Sequence, residues 1–235
     1  MIRTGVNSLQ EVRQALQNVD RYLQQAHNTY PRWRVVPATM YTAVPMTTSV
    51  IEMRDTSWMA TGLPIRFTVG GVTYYAIIIS LSADASITLR GPSLGAAALT
   101  KLEVGRPEMI VQHDFFVAGA YGDDVADLLG TDAHTAYQWG RSNAYLVMFS
   151  AHHNANDTGA AQPKVNIKVD GALVSTNDSN KGVQVTTGWV HNPATQVNTA
   201  NYQTVRGDAI EVRCTQAGTN GNATDLTVRC LWVLE

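Results

Sequence analysis

The strongest constraint on this chain is a pair of two-residue turns set between alternating apolar segments. In the first, Ile65, Phe67 and Val69 alternate with Arg66 and Thr68, Gly70-Gly71 supplies two residues that tolerate positive φ, and Val72 to Ile79 returns. In the second, Lys164 to Val174 carries Val165, Ile167 and Val169 on one face and turns at Asp170-Gly171. A period of two puts every second side chain on one face, and such loops match the right-handed twist of an antiparallel pair. Antiparallel β-structure is the consequence.

Other segments follow the same rhythm. Val50, Ile51 and Met53 suggest a strand ending at Arg54-Asp55, and Ala85 to Arg90 another, with Ile87 and Leu89 on one face. Ile77-Ile78-Ile79 is apolar on both faces, so the returning strand belongs in the middle of its sheet. Gly91 to Val104 is mixed, with Gly95 to Ala98 as a helical turn or a linker, and a domain boundary is placed there. Beyond it, Met109 to Val117, Ala144 to Ala151, Val183 to Val190, Asp208 to Thr215 and Asp225 to Leu234 read as strands, and Asp123 to Leu129 as one short helix. The expected fold is mainly β: residues 33–105 form a small antiparallel barrel or sheet, and residues 106–235 a two-sheet sandwich, jelly-roll-like rather than immunoglobulin-like.

Residues 1–32 follow a different period. Leu9, Val12, Leu16, Val19, Leu23 and Ala26 are spaced three, four, three, four, three, the rhythm of a coiled-coil seam. Ser8 and Glu11 form a capping box, and Pro31 disfavours helix at Tyr30. A helix this short is marginal alone. The seam is therefore completed by other copies, most simply as a homotrimer, or the helix lies on its own domain.

The net charge of −2, with 15% charged residues, offers no basic field for nucleic acid or an anionic membrane. The sequence has no run long enough to span a bilayer and no apolar signal core, so synthesis and assembly in a cytosol are expected. Cys214 and Cys230 are expected as a cross-strand pair in the core, reduced in a cytosolic protein, with a bridge open if geometry allows.

Candidate chemistry is sparse. Gly91-Pro92-Ser93-Leu94-Gly95 matches the nucleophile-elbow pattern, with Asp178 and His191 in hydrolase order, but that fold needs a buried parallel sheet and this chain offers hairpins. His113, His134, His152 and His153 lack metal-ligand spacing, and His152 and His153 would face opposite sides of a strand. They are expected to be solvated loop residues, and Lys181 spoils a calcium-like loop at Asn177 to Gly182. No catalytic residue, metal or cofactor is assigned. Tyr137, Trp139, Trp189 and Tyr202, beside several asparagines, are a possible ligand platform, although strand aromatics are more often core.

Several stretches resemble structural proteins of tailed-bacteriophage virions. They are Thr47 to Met53, Gly62 to Phe67 and Thr73 to Ile78, then Ala144 to Val147, Gln162 to Ile167 and Leu226 to Trp232. The resemblance implies a head-decoration, head-fibre or tail-adaptor component, usually a homotrimer, with no catalytic residues. The expectation is a non-enzymatic virion protein assembled in the host cytoplasm that cements the shell against the major capsid protein. The alternative is a tail-associated protein that recognises a host surface glycan.

Overall fold

The computed structural model describes residues 32–122, 127–129, 137–141, 143–175, 182–192 and 197–235. The chain divides into two compact units, Met1–Arg34 and Val35–Glu235. The seam residues Leu9, Val12, Leu16, Val19, Leu23 and Ala26, and with them the expected stem, lie outside the described residues.

The strands come in two groups. The first group is β1 (Trp33–Val35), β2 (Val50–Glu52), β3 (Pro64–Val69), β4 (Val72–Ser82), β5 (Ser86–Arg90) and β6 (Leu99–Gly105). The second is β7 (Ile110–Tyr121), β8 (Asp127–Leu129), β9 (Tyr137–Gln138), β10 (Ala144–Ala155), β11 (Lys164–Val169), β12 (Ala172–Leu173), β13 (Val183–Gln184), β14 (Val190–His191), β15 (Gln203–Thr204), β16 (Ala209–Gln216) and β17 (Ala223–Leu234). The fold is mainly β, and the strands β2 to β17 pair antiparallel among the described residues.

In the first sheet the neighbours run β6-β3-β4-β5-β2. Both expected hairpins form, with Val69 opposite Val72 across Gly70-Gly71 and Val169 opposite Ala172 across Asp170-Gly171. Gly70 and Gly71 have φ of 58° and 83°, the left-handed pair that a two-residue turn requires. One face of the sheet buries Ile65, Phe67, Ile78, Ile87, Leu89 and Leu102. Within the mixed segment Gly95 to Ala98 is irregular, and the strand that follows, Leu99–Gly105, pairs with β3. Its apolar residues Leu102 and Val104 alternate with Glu103, and a register shift near Leu99 masks the period.

In the second group one sheet runs β14-β10-β17-β7, with β15 also on β10, and the other β12-β11-β16-β8, with β13 on β11 and β9 on β16. The two sheets share one core, in which Phe149, Val228, Cys230 and Trp232 of one meet Val165, Ile167, Ile210 and Val212 of the other. This is a β-sandwich-like arrangement. Burying one such side chain contributes about 1.5–3 kcal/mol, so the shared core is the main source of its stability.

Three expectations are corrected by this topology. The described part of Asp123 to Leu129 is strand β8, because Asp127–Leu129 pairs with β16. Val183 to Val190 is two short strands in different sheets, since the chain crosses the sandwich at the Thr186–Gly188 turn. Cys214 and Cys230 are not a cross-strand pair: Cys214 lies opposite Val165 and Cys230 opposite Phe149, on separate sheets. Both are buried, and the Cys214 thiol donates to the Gln216 carbonyl at 3.2 Å.

Candidate functional site

The first sheet meets the sandwich through β4. Tyr75 on its outer face stacks on Tyr145 of β10, with ring centroids 3.9 Å apart and planes 8° apart, and Tyr145 leans on Tyr202 at 5.1 Å. This contact explains why Ile77-Ile78-Ile79 is apolar on both faces: Ile78 enters the first core, and its neighbours meet the sandwich.

Beside the stacked tyrosines lies an open cleft of about 490 Å³. Ile77 and Ile79 of β4, Met148 of β10 and Leu231 of β17 form apolar walls, and Arg90 and His191 are the ionisable groups. A bulge between Leu146 and Met148 resets the alternation of β10, leaving Met148 and His152 half-buried while Phe149 and Ala151 enter the core.

Arg90 ends β5. Its Nη1 donates to the Met148 thioether at 3.4 Å, and its Nε is buried without an acceptor among the described residues. Loss of water lowers its pKa from the ordinary value. The His191 Nδ1 lies 2.8 Å from the Ser150 hydroxyl. Burial, then the Arg90 charge, lowers the imidazole pKa and so favours the neutral ring. None of the residues lining the cleft is acidic. A half-buried cation beside this imidazole can receive a negative group, and the described lining provides no carboxylate for acid–base work.

On the outer face of the same sheet, Arg229 forks onto Asp114, with Nε at 3.1 Å and Nη2 at 3.0 Å. Its guanidinium carbon sits 4.7 Å from the Trp189 ring centre, and the His152 ring is 4.2 Å from Trp189. The expected aromatic platform does not assemble. Trp189 is 41% exposed, but Trp139 (1%) packs on Trp232 in the core, and Tyr202 (3%) is buried behind Tyr145. Tyr137 is half-buried against His113, with ring centres 4.0 Å apart. The reason is that the sandwich core needs large aromatic volume, which Trp139 and Tyr202 supply.

The remaining candidates are structural. His152 and His153 lie on β10 and not in a loop, which corrects the solvated reading. His153 is fully buried, with Nδ1 2.8 Å from the Tyr121 hydroxyl and Nε2 2.7 Å from Asn156 Oδ1. No three metal-capable side chains come together among the described residues. Ser93 is exposed in an irregular turn where its hydroxyl accepts from the Gly95 N–H at 3.3 Å, and no helix follows it. Asp178 and Lys181 lie outside the described residues. Asp157 accepts backbone N–H bonds from Gly159, Asn220 and Asn222. Burial raises its pKa, but these bonds outweigh it and hold the carboxyl below its ordinary value. Asp157 ties two loops together.

The sequence reading missed Arg90, treating it as a strand end. A usable signal was present, because a strand apolar on both faces needs a partner on each, and Arg90 pairs with Ile77 on that strand.

No family model matches the chain, and no curated protein matches it. Similar solved structures include a conserved protein of unknown function from Pseudomonas aeruginosa, 9% identical over 86% of this chain and 99% of that one, with a TM-score of 0.22. Another is BuGH86 in complex with neoagarooctaose, 10% identical, TM-score 0.23, over 87% of this chain. A third is a beta-porphyranase of glycoside hydrolase family 86 from the human gut bacterium Bacteroides plebeius, 11% identical, TM-score 0.17, over 79% of this chain. This chain spans about a third of each of the last two, 34% of their length. These TM-scores carry no inference about function.

Proposed function

We propose that this chain is a non-enzymatic structural protein of a tailed-phage virion, a trimeric decoration, cement or head-fibre component bound to the major capsid protein. The observation that carries the reading is strand order. Taken along the chain, the sandwich strands β7, β8 and β9, β10, β11, β12 and β13, β14 and β15, β16, β17 fall into sheets β7-β17-β10-β14 and β8-β16-β11-β12. This order supports reading the sandwich as a jelly roll, an architecture used by viral capsid and lectin domains and by cupins. The step from fold to virion is an analogy, and the resemblance in sequence supports it independently. Repetition by threefold symmetry would multiply weak capsid contacts into durable attachment.

Sedimentation equilibrium of the full chain tests the assembly. A mass of about 76 kDa, three times 25.5 kDa, falling to the monomer value in Leu16→Asp, is expected. A full-length monomer refutes the trimer. The alternative, recognition of a host surface glycan, keeps Trp189 as the one exposed member of the expected platform among the described residues. A glycan array on which Trp189→Ala binds as well as the parent would remove it.

A further inference from the structure

Three arginines of these sheets offer a natural comparison. Arg66 presents its Nε–Nη2 edge to Glu103 at 2.6 and 3.1 Å, and Arg229 presents the same edge to Asp114 at 3.1 and 3.0 Å. Arg90 has no such partner among the described residues. Its Nε is buried and without an acceptor among the described residues, and its Nη1 donates to a thioether sulfur, a weak acceptor. A buried donor without an acceptor is costly, unless something arrives to pair it.

We propose that the cleft between the first sheet and the sandwich binds a small carboxylate with an apolar body, the carboxylate forking onto Arg90. A guanidinium matches a planar carboxylate with two parallel donors, as the same chain does twice elsewhere. Binding in this mode requires the Arg90 side chain to rotate away from Met148, so that its Nε–Nη2 edge faces the ligand. His191 Nδ1 lies 2.8 Å from the Ser150 hydroxyl, and in the tautomer where that hydroxyl donates, Nε2 carries the ring proton and is a further donor for the ligand. Ile77, Ile79, Met148 and Leu231 take the apolar body. The absence of any acid from the lining removes the group that would repel it. This inference is independent of virion assembly.

The test uses the full chain with hexanoate as the probe and hexanamide as its uncharged match, followed by calorimetry and by the Arg90 Nε–H signal in nitrogen-15 NMR. Saturable hexanoate binding that shifts this signal is expected. Hexanamide should bind at least ~10-fold more weakly, and Arg90→Gln should weaken hexanoate by a similar factor. Equal binding of the two probes, or no saturable hexanoate binding, overturns the proposal. Because the NMR measurement needs no substitution, an unmoved Arg90 signal in the parent protein overturns it even if Arg90→Gln misfolds.

Discussion

Glu103→Gln isolates the most buried charge of the first sheet without changing its shape. Glu103 is 4% exposed and sits opposite Arg66 in the β3–β6 register. It accepts from Arg66 Nε at 2.6 Å and Nη2 at 3.1 Å, and Lys101 Nζ lies 3.1 Å away. A glutamine can still accept one arm, but its amide turns the other into two donors facing each other. Hydrogen bonds to charged groups contribute about 1.5–3 kcal/mol each. The Arg66 side chain keeps 24% exposure, so water replaces part of the loss, and the expected destabilisation at pH 7 is about 2 kcal/mol. Urea unfolding followed by tryptophan fluorescence should show a lower midpoint at unchanged slope. The pH dependence gives a second check. Burial raises the Glu103 pKa, but the hydrogen bonds and charges of Arg66 and Lys101 overcome it, and the folded value lies below 4.5. The contribution is therefore complete above the unfolded pKa, and the gap between parent and variant should close as pH falls below about 4.5 through the folded pKa. A loss under ~0.5 kcal/mol at pH 7, the range of an ordinary surface change, would refute the reasoning, as would a gap constant down to pH 3.

Two further outcomes follow from backbone and burial. Gly91→Ala should destabilise by about 2 kcal/mol in thermal unfolding, because φ is +147° and the new Cβ would lie 2.9 Å from Ala76 Cβ and 3.0 Å from the Tyr75 carbonyl. Ellman's reagent should modify neither Cys214 nor Cys230 in the native protein and both in denaturant, since both are buried and burial pushes the Cys230 thiol well above its usual range; rapid native labelling would contradict the packing.

How much could be read from the chain follows from where each signal is stored. The two hairpins were legible because alternation and turn chemistry are local, and Gly70-Gly71 and Asp170-Gly171 admit few other conformations. The same holds for β10 and β17, whose apolar residues outlast any turn signal. Short strands were less legible. Asp127–Leu129 resembles a helical turn until β16 supplies its pairing, and Val183 to Val190 looks continuous until the chain is seen crossing between sheets. The cysteines suggest a cross-strand pair because the Gly/Asn-rich stretch Ala217 to Ala223 has the composition of a turn, whereas that connection joins different sheets.

The sequence by itself determined that this is an antiparallel β protein, where its hairpins turn and which strands need cover on both faces. Those properties depend on side-chain period and backbone preference, which act over a few residues. Tertiary structure alone decided that Trp139 and Tyr202 are core while Trp189 is surface, that Cys214 and Cys230 lie on separate sheets, and that Arg90, Met148 and His191 share one cleft. Arg90 and His191 are a hundred positions apart in sequence, and their meeting depends on how the first sheet packs against the sandwich, information that no local period carries.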